Sequence, residues 1–235
     1  MAHLMGAEVI THEFPTKEVF SGVTVGINDG DRIGIVGRNG DGKSTLVKIL
    51  TKQFAPDSGR VTWRGGLRIG FLTQVDVIDD EISIAEAVVG DRPEFEWASD
   101  PKIRDVLSGL VADLDWHQKV GTLSGGQRRR VALAALLAGE YDVVFLDEPT
   151  NHLDVDGVAW LANHLQTRWP KNVGGLAVIT HDRWFLDAVC NLTWEVYGGR
   201  IEPFEGGYAA YVQQRAERSR QADAIESRRQ NLLRK

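Results

Sequence analysis

The 235-residue chain has one cysteine, Cys190. That excludes an intrachain disulfide and makes a reducing compartment the simplest setting. The surrounding "DAVCNL" reads as a helix face, so a buried structural thiol is expected rather than a nucleophile. Long apolar runs are also missing: none approaches the ~20 residues needed to span a bilayer. The opening "MAHLMGAEVI" has no basic segment ahead of an apolar core, so no secretory signal is expected, and the cytoplasm is the expected location. Internal repeats and low-complexity tracts are absent. His3, His12, His117 and His164 share no metal-ligand spacing with acids or the cysteine, which leaves them without a function at this stage.

What is present is an ordinary globular composition, 43% hydrophobic and 26% charged, on a length that suits one large α/β domain or two small ones. The net charge of −6 is unevenly spread. Tyr208 to Lys235 holds seven basic residues against Glu217, Asp223 and Glu226, or +4, leaving −10 for the remainder. An acidic body with a basic tail places any polyanion contact at the tail.

The first third alternates like strands with tight turns, in "AEVITHEF", "VFSGVTVGI", "GRVTWRGG" and "LRIGFLTQ". Within it "DRIGIVG" is a short buried strand entering a glycine-rich loop, and "KSTLVKILTK" reads as a helix. From Asp79 to about Gly139, apolar spacings of three and four predict helices in "SIAEAVVG", "PKIRDVLSGLVADL" and "SGGQRRRVALAALLAG". Two buried strands, "DVVFLD" and "GLAVIT", flank the helical "GVAWLANHLQTRW", and strand–helix–strand implies a parallel sheet. The final stretch has no Gly, Pro or C-cap signal, so it is expected to be a helix cut short in a fragment of a longer protein.

Two segments carry chemistry. "GRNGDGKS", from Gly37 through Arg38, Asn39, Gly40, Asp41, Gly42 and Lys43 to Ser44, fits G-x-x-x-x-G-K-[ST] after a strand and at the start of a helix. Such a loop curls backbone N–H groups around phosphate, and the helix dipole adds positive potential. Lys43 is assigned to the β- and γ-phosphates, Ser44 to Mg²⁺ and Thr45 to the α-phosphate. Asp41 is out of place in an anion-binding loop and is expected to point away from the phosphates. "VVFLDEPTNHLD" ends a buried strand in adjacent acids, an arrangement that costs desolvation and repulsion unless a cation or a reaction uses it. With the phosphate loop upstream, Asp147 fits a water-mediated Mg²⁺ ligand, and Glu148 fits the group that polarises the attacking water.

"LSGGQ", with Ser124, Gly125, Gly126 and Gln127, taken alone could equally be a helix cap without a ligand. Placed between the phosphate loop and the acidic strand, it makes nearly the whole chain resemble the ATP-binding-cassette ATPases. The resemblance implies a signature loop acting in trans, on ATP held by a second, facing cassette. It also implies a Q-loop glutamine at Gln74 that senses Mg²⁺ and the attacking water, a switch histidine at His181 and a D-loop acid at Asp154. An adenine-stacking aromatic is implied at Phe14, although a core residue at a strand end would look the same. His152 is given a loop-shaping role.

"DEPTNHLD", "THDRWFLDAV" and "FEGGYAAYVQQRAER" resemble the ABC-F translation factors. The resemblance implies two cassettes in one chain, joined by a helical linker that lies near ribosomal tRNA. Arg215, Arg218, Arg220, Arg228, Arg229 and Arg234 are then placed to meet phosphates, although a solvated charged face would read alike. Gln74 and Ser124 are too close for an inserted arm, which points to the arm-lacking, Uup-like branch. The expected architecture is α/β: a RecA-like, mostly parallel sheet, a small antiparallel β-subdomain and a helical subdomain over about 75–130. The cassette is expected to span 1–207, and 208–235 to begin the linker. Expected partners are ATP with Mg²⁺, a second cassette (in the same full-length chain, or as a homodimer of the fragment), and the ribosome or tRNA. The rival reading is the ATPase subunit of a membrane transporter. A DNA-repair cassette would need long coiled-coil insertions that are not there.

Overall fold

The computed structural model describes residues 2–72 and 78–233, with side chains described through residue 222. Gln74 and Arg234 lie outside the described residues, as do the side chains of Arg228 and Arg229. Strands β1 (His3–Phe14) and β2 (Lys17–Asn28) form an antiparallel hairpin closed by Phe14 opposite Lys17. Then come β3 (Arg32–Val36), α1 (Lys43–Leu50), β4 (Ser58–Trp63) and β5 (Ile69–Leu72). Helices α2 (Ile84–Val89), α3 (Glu94–Trp97) and α4 (Pro101–Leu110), a 3-10 turn (Val120–Thr122) and α5 (Gly125–Ala138) make a helical layer. The chain returns through β6 (Val143–Asp147), α6 (Val155–Thr167), β7 (Gly175–Ile179), α7 (Arg183–Val189), β8 (Leu192–Tyr197) and β9 (Arg200–Glu205) to α8 (Tyr208–Leu233).

Two sheets result: an antiparallel one ordered β2-β1-β4, and a six-stranded one ordered β5-β6-β7-β3-β8-β9 that is parallel except for β9. The central strands are apolar at nearly every position because both faces are covered. Alternation then sorts their side chains. Val143, Phe145, Ala177 and Ile179 enter the core shared with α1 and the small sheet, whereas Val144, Leu146, Leu176 and Val178 enter the core under the helices. Because β3, β6 and β7 are parallel neighbours, the segments after Val36, Asp147 and Ile179 emerge along one edge, where ligands of open α/β sheets bind.

The structure departs from the sequence reading at several points. "DAVCNL" is not one helix face: α7 ends at Val189 and β8 begins at Leu192, with Cys190 at the cap. The thiol is nonetheless buried, and that burial pushes it up to about 12, which keeps it unreactive. The β8–β9 hairpin, turning on Gly198 and Gly199, was not expected at all. Arg130, taken as an approximate boundary of the helical subdomain, lies inside α5.

Helix α8 sits on the cassette through its first turns. Tyr211 Oη donates to Glu195 Oε1 at 2.8 Å, and Arg215 Nε lies 3.1 Å from the same oxygen, so this buried carboxylate has two partners. Burial beside Glu195 pushes the Tyr211 phenol up. Arg218 pairs with Glu202 and covers the Phe204 ring. Two of the six arginines expected to meet phosphate are thus engaged by the cassette itself.

The helical layer is locked to α6 by Asp105, which accepts from Trp160 Nε1 at 3.1 Å and meets His164 Nδ1 at 2.9 Å. The His164 ring stacks on Trp160, and its burial lowers its basicity. Gly109 permits this approach, since a Cβ there would stand 2.1 Å from the Trp160 ring. In an exposed helix Gly→Ala stabilises by about 1 kcal/mol. Here Gly109→Ala is expected to destabilise by about 1–3 kcal/mol through overpacking, read as a lower urea midpoint. A raised midpoint would mean that α4 and α6 are not seated in this way.

Candidate functional site

The phosphate loop starts one residue after β3 because Gly37 packs on the next strand: a Cβ there would meet Val196 O at 2.4 Å. It ends at Gly42, whose φ of 103° turns the chain into α1. Lys43 is buried, and its Nζ donates to Gly37 O at 2.9 Å and Arg38 O at 3.0 Å. A buried ammonium needs such partners, and a phosphate is a stronger one than two carbonyls.

Ser44 Oγ donates to Asp147 Oδ2 at 2.7 Å. Asp147 is 5% exposed, and its Oδ1 is buried without a hydrogen-bond partner. A hydroxyl and a carboxylate with a spare oxygen are hard donors that fit Mg²⁺, which normally completes its shell with water and substrate phosphate. Among the described residues no group of three His, Cys, Asp or Glu side chains could hold a metal alone. The next residue, Glu148, takes a left-handed backbone at φ 51° while its N–H donates to Ile179 O at 2.7 Å. This turn at the strand end directs its side chain towards His181, whose Nε2 lies 3.5 Å from Glu148 Oε1. Thr150 Oγ1 and Thr180 Oγ1, 3.1 Å apart, tie together the two loops that carry these residues.

Phe14, Asn39, Gly40, Gly42, Lys43, Ser44, Thr45, Asp147, Glu148 and His181 line one cavity of about 760 Å³. Its volume is in the range of small-molecule sites. Phe14, one of the lining residues, is 43% exposed, which suits a stacking face better than a core residue. Gly37, Arg38 and Asp41 instead line an adjoining cavity of about 650 Å³, which shares Lys43, Thr180 and His181 with the first and is also lined by Tyr208, Tyr211 and Arg215 of α8. Asp41 is not among the residues that line the first cavity.

Ser124, Gly125, Gly126, Gln127 and Asp154 line neither cavity. Ser124 and Gln127 form a reciprocal capping box at the start of α5, so the cap reading is structurally real. Gly125 has open space where a side chain would stand, and Gly126 packs against His152, which turns with φ 66°. Asp154 caps α6 by accepting from Gly157 N–H at 2.8 Å.

Sequence reasoning missed Lys17, Val19, Thr150, Thr180 and Asp182 in the first cavity, and Arg129 behind it. The two-residue turn after Phe14 was a usable signal for Lys17. None existed for Arg129, which is buried in α5 and donates to the main-chain carbonyl of Asp147.

Lys43→Ala is expected to weaken binding of a fluorescent ATP analogue by roughly 100-fold or more, because two charge-assisted contacts are lost. Unchanged affinity in a folded variant would remove the phosphate site.

Comparison with known proteins agrees with this geometry. The ABC transporter family profile matches residues 20–151, more than half of the chain. The chain is 32% identical to the uncharacterized ABC transporter ATP-binding protein YfmR of Bacillus subtilis, over 99% of this chain and 42% of that protein. It is also 32% identical to the energy-dependent translational throttle protein EttA of Haemophilus influenzae, over 94% of this chain and 46% of that protein. The chain therefore spans less than half the length of these relatives. A chain in a model of ribosome-bound archaeal Pelota and ABCE1 superposes with a TM-score of 0.71 at 26% identity, over 87% of this chain and 35% of that one. With its phosphate loop, paired strand-end acids and sheet order, the chain belongs to the ABC transporter family of ATP-binding cassettes.

Proposed function

We propose that this cassette hydrolyses ATP with Mg²⁺ as the first of two cassettes in a cytoplasmic ABC-F protein that acts on the ribosome. The observation that carries the chemistry is Asp147, buried with one oxygen unpartnered, beside Ser44 and next to Glu148. Ser44 and Asp147 would hold Mg²⁺, joined by Gln74 from the segment outside the described residues. Bound there with nucleotide, the ion would neutralise charge on the transferring phosphoryl group. Lys43 exchanges Gly37 and Arg38 carbonyls for phosphate oxygens, Thr45 binds the α-phosphate, and Phe14 stacks on adenine. Glu148 orients and deprotonates the attacking water, and His181, close to that carboxylate, contacts the γ-phosphate.

The outward-facing start of α5 supports a signature loop that serves a facing cassette. Ser124 and Gly125 are exposed, the helix dipole is positive there, and the chain's own cavity does not use them. Asp154 is taken as the D-loop acid of the same interface. Hydrolysis by one cassette alone is then slow. The ribosomal assignment is supported by "DEPTNHLD", by EttA's name as a translational throttle, and by a 26-residue α8 continuing from the cassette with arginines along it. In this reading residues 1–207 are the cassette, about 75–130 its helical subdomain, and 208–235 the start of the linker, in the arm-lacking, Uup-like manner. YfmR's name favours the transporter alternative, which requires a groove near Gln74 for a membrane partner. No helix among the described residues is long and apolar enough to cross a membrane.

Glu148→Gln should trap the ATP-bound form. In sucrose gradients of cell lysate with MgATP, this variant is expected to co-sediment with ribosomal particles several-fold more than the same variant carrying Lys43→Ala. Enrichment of an integral membrane protein instead, with no ribosomal shift, would overturn the assignment in favour of transport.

A further inference from the structure

The phosphate loop carries an acid close to where a polyanion must sit, and the neighbouring hairpin carries a cation that no motif explains. Asp41 Oδ2 accepts from Arg38 N–H at 3.1 Å, and Asp41 N–H returns to Arg38 O at 3.2 Å. The loop is thus folded on its own carboxylate. Asp41 Oδ1 faces Lys17 Nζ at 3.8 Å, and Lys17 Nζ also donates to Gly40 O at 2.7 Å. Gly40, with φ 83°, is the crest of the loop, and a Cβ there would meet nothing within 4 Å. Lys17 is the register partner of Phe14, and both line the nucleotide cavity, whereas Asp41 lines the cavity that adjoins it at Lys43. One ammonium group therefore reaches from the adenine-side hairpin over the crest to the acid.

We propose that Lys17 is a positioning residue of the nucleotide site: it screens the Asp41 carboxylate from the phosphates and holds the crest of the loop to the hairpin that carries Phe14. The pair is partly exposed, with side chains 53% and 20% accessible, so it contributes little to folding stability. Its effect on a ligand is different, because Coulomb energy scales with the ligand's charge. Unmasking one carboxylate penalises a triphosphate more than a diphosphate. The inference rests on the nucleotide reading of the cavity, which Lys43→Ala tests separately.

The test is a set of titrations with MgATP and MgADP at low and high salt, on variants whose melting temperatures match the parent. Lys17→Met is expected to raise the Kd for MgATP by about 5–10-fold and that for MgADP by less, with both losses shrinking at high salt. Lys17→Arg is expected to stay near the parent. Adding Asp41→Asn, whose amide oxygen can still accept from Arg38 N–H, is expected to bring Lys17→Met back to within about twofold of the parent, since nothing remains to be screened. Failure of Asp41→Asn to rescue would overturn the proposal, because Lys17 would then act on the nucleotide directly. Equal losses for both nucleotides would overturn it as well, because Lys17 would then only shape the hairpin.

Discussion

One hydrogen bond, from Ser44 Oγ to Asp147 Oδ2, joins the two halves of the site. Its partners follow β3 and end β6, strands separated by β7 and therefore about 10 Å apart. The bond forms only because the three strands are parallel and in register, so that the first turn of α1 overhangs the end of β6. It also fixes the division of labour at Asp147: one oxygen is used, the other is spare, and the main-chain carbonyl is held by Arg129 from α5. The helix that begins at Ser124 is in this way tied to the acid that the phosphate loop addresses.

The same edge is managed electrostatically by local pairing. Lys43 rests on carbonyls of its own loop, Asp41 is covered by Lys17, and Glu148 looks towards His181. Each charged group has a partner that a nucleotide could displace or exploit. Farther out, Glu195 performs the corresponding task for α8, with Tyr211 and Arg215 on one buried carboxylate beside the strand that enters the phosphate loop.

The α/β architecture was legible because both-face burial writes β6 and β7 as unbroken apolar runs, and because Ser124 marks a helix start by chemistry that survives in one dimension; the caps at Ser83, Asp100, Asp154 and Asp182 went unread. The phosphate loop and the strand-end acids were legible for the same reason: their residues are neighbours in sequence. What escaped depends on contacts between distant segments. Lys17 meets Asp41 only after the hairpin folds over the loop, and Arg129 finds Asp147 only across the sheet–helix boundary. The β8–β9 hairpin was hidden because Pro203 interrupts its second strand, and the buried Glu195 disguises an inward position as a surface one. Cys190 was judged correctly as buried but given the wrong local structure, since apolar character alone does not separate a helix end from a strand start.

The seating of α8 has a mechanical corollary. A helix of 26 residues is about 39 Å long, and among its described side chains Tyr211, Arg215 and Arg218 fasten its first turns to the cassette. Glu195 pairs in register with Val36, so the base of this helix lies one residue from the phosphate loop. Tilting the base by about 5° would swing the tip by roughly 3 Å over such a length, enough to turn a sub-ångström adjustment around phosphate into a displacement another macromolecule could feel.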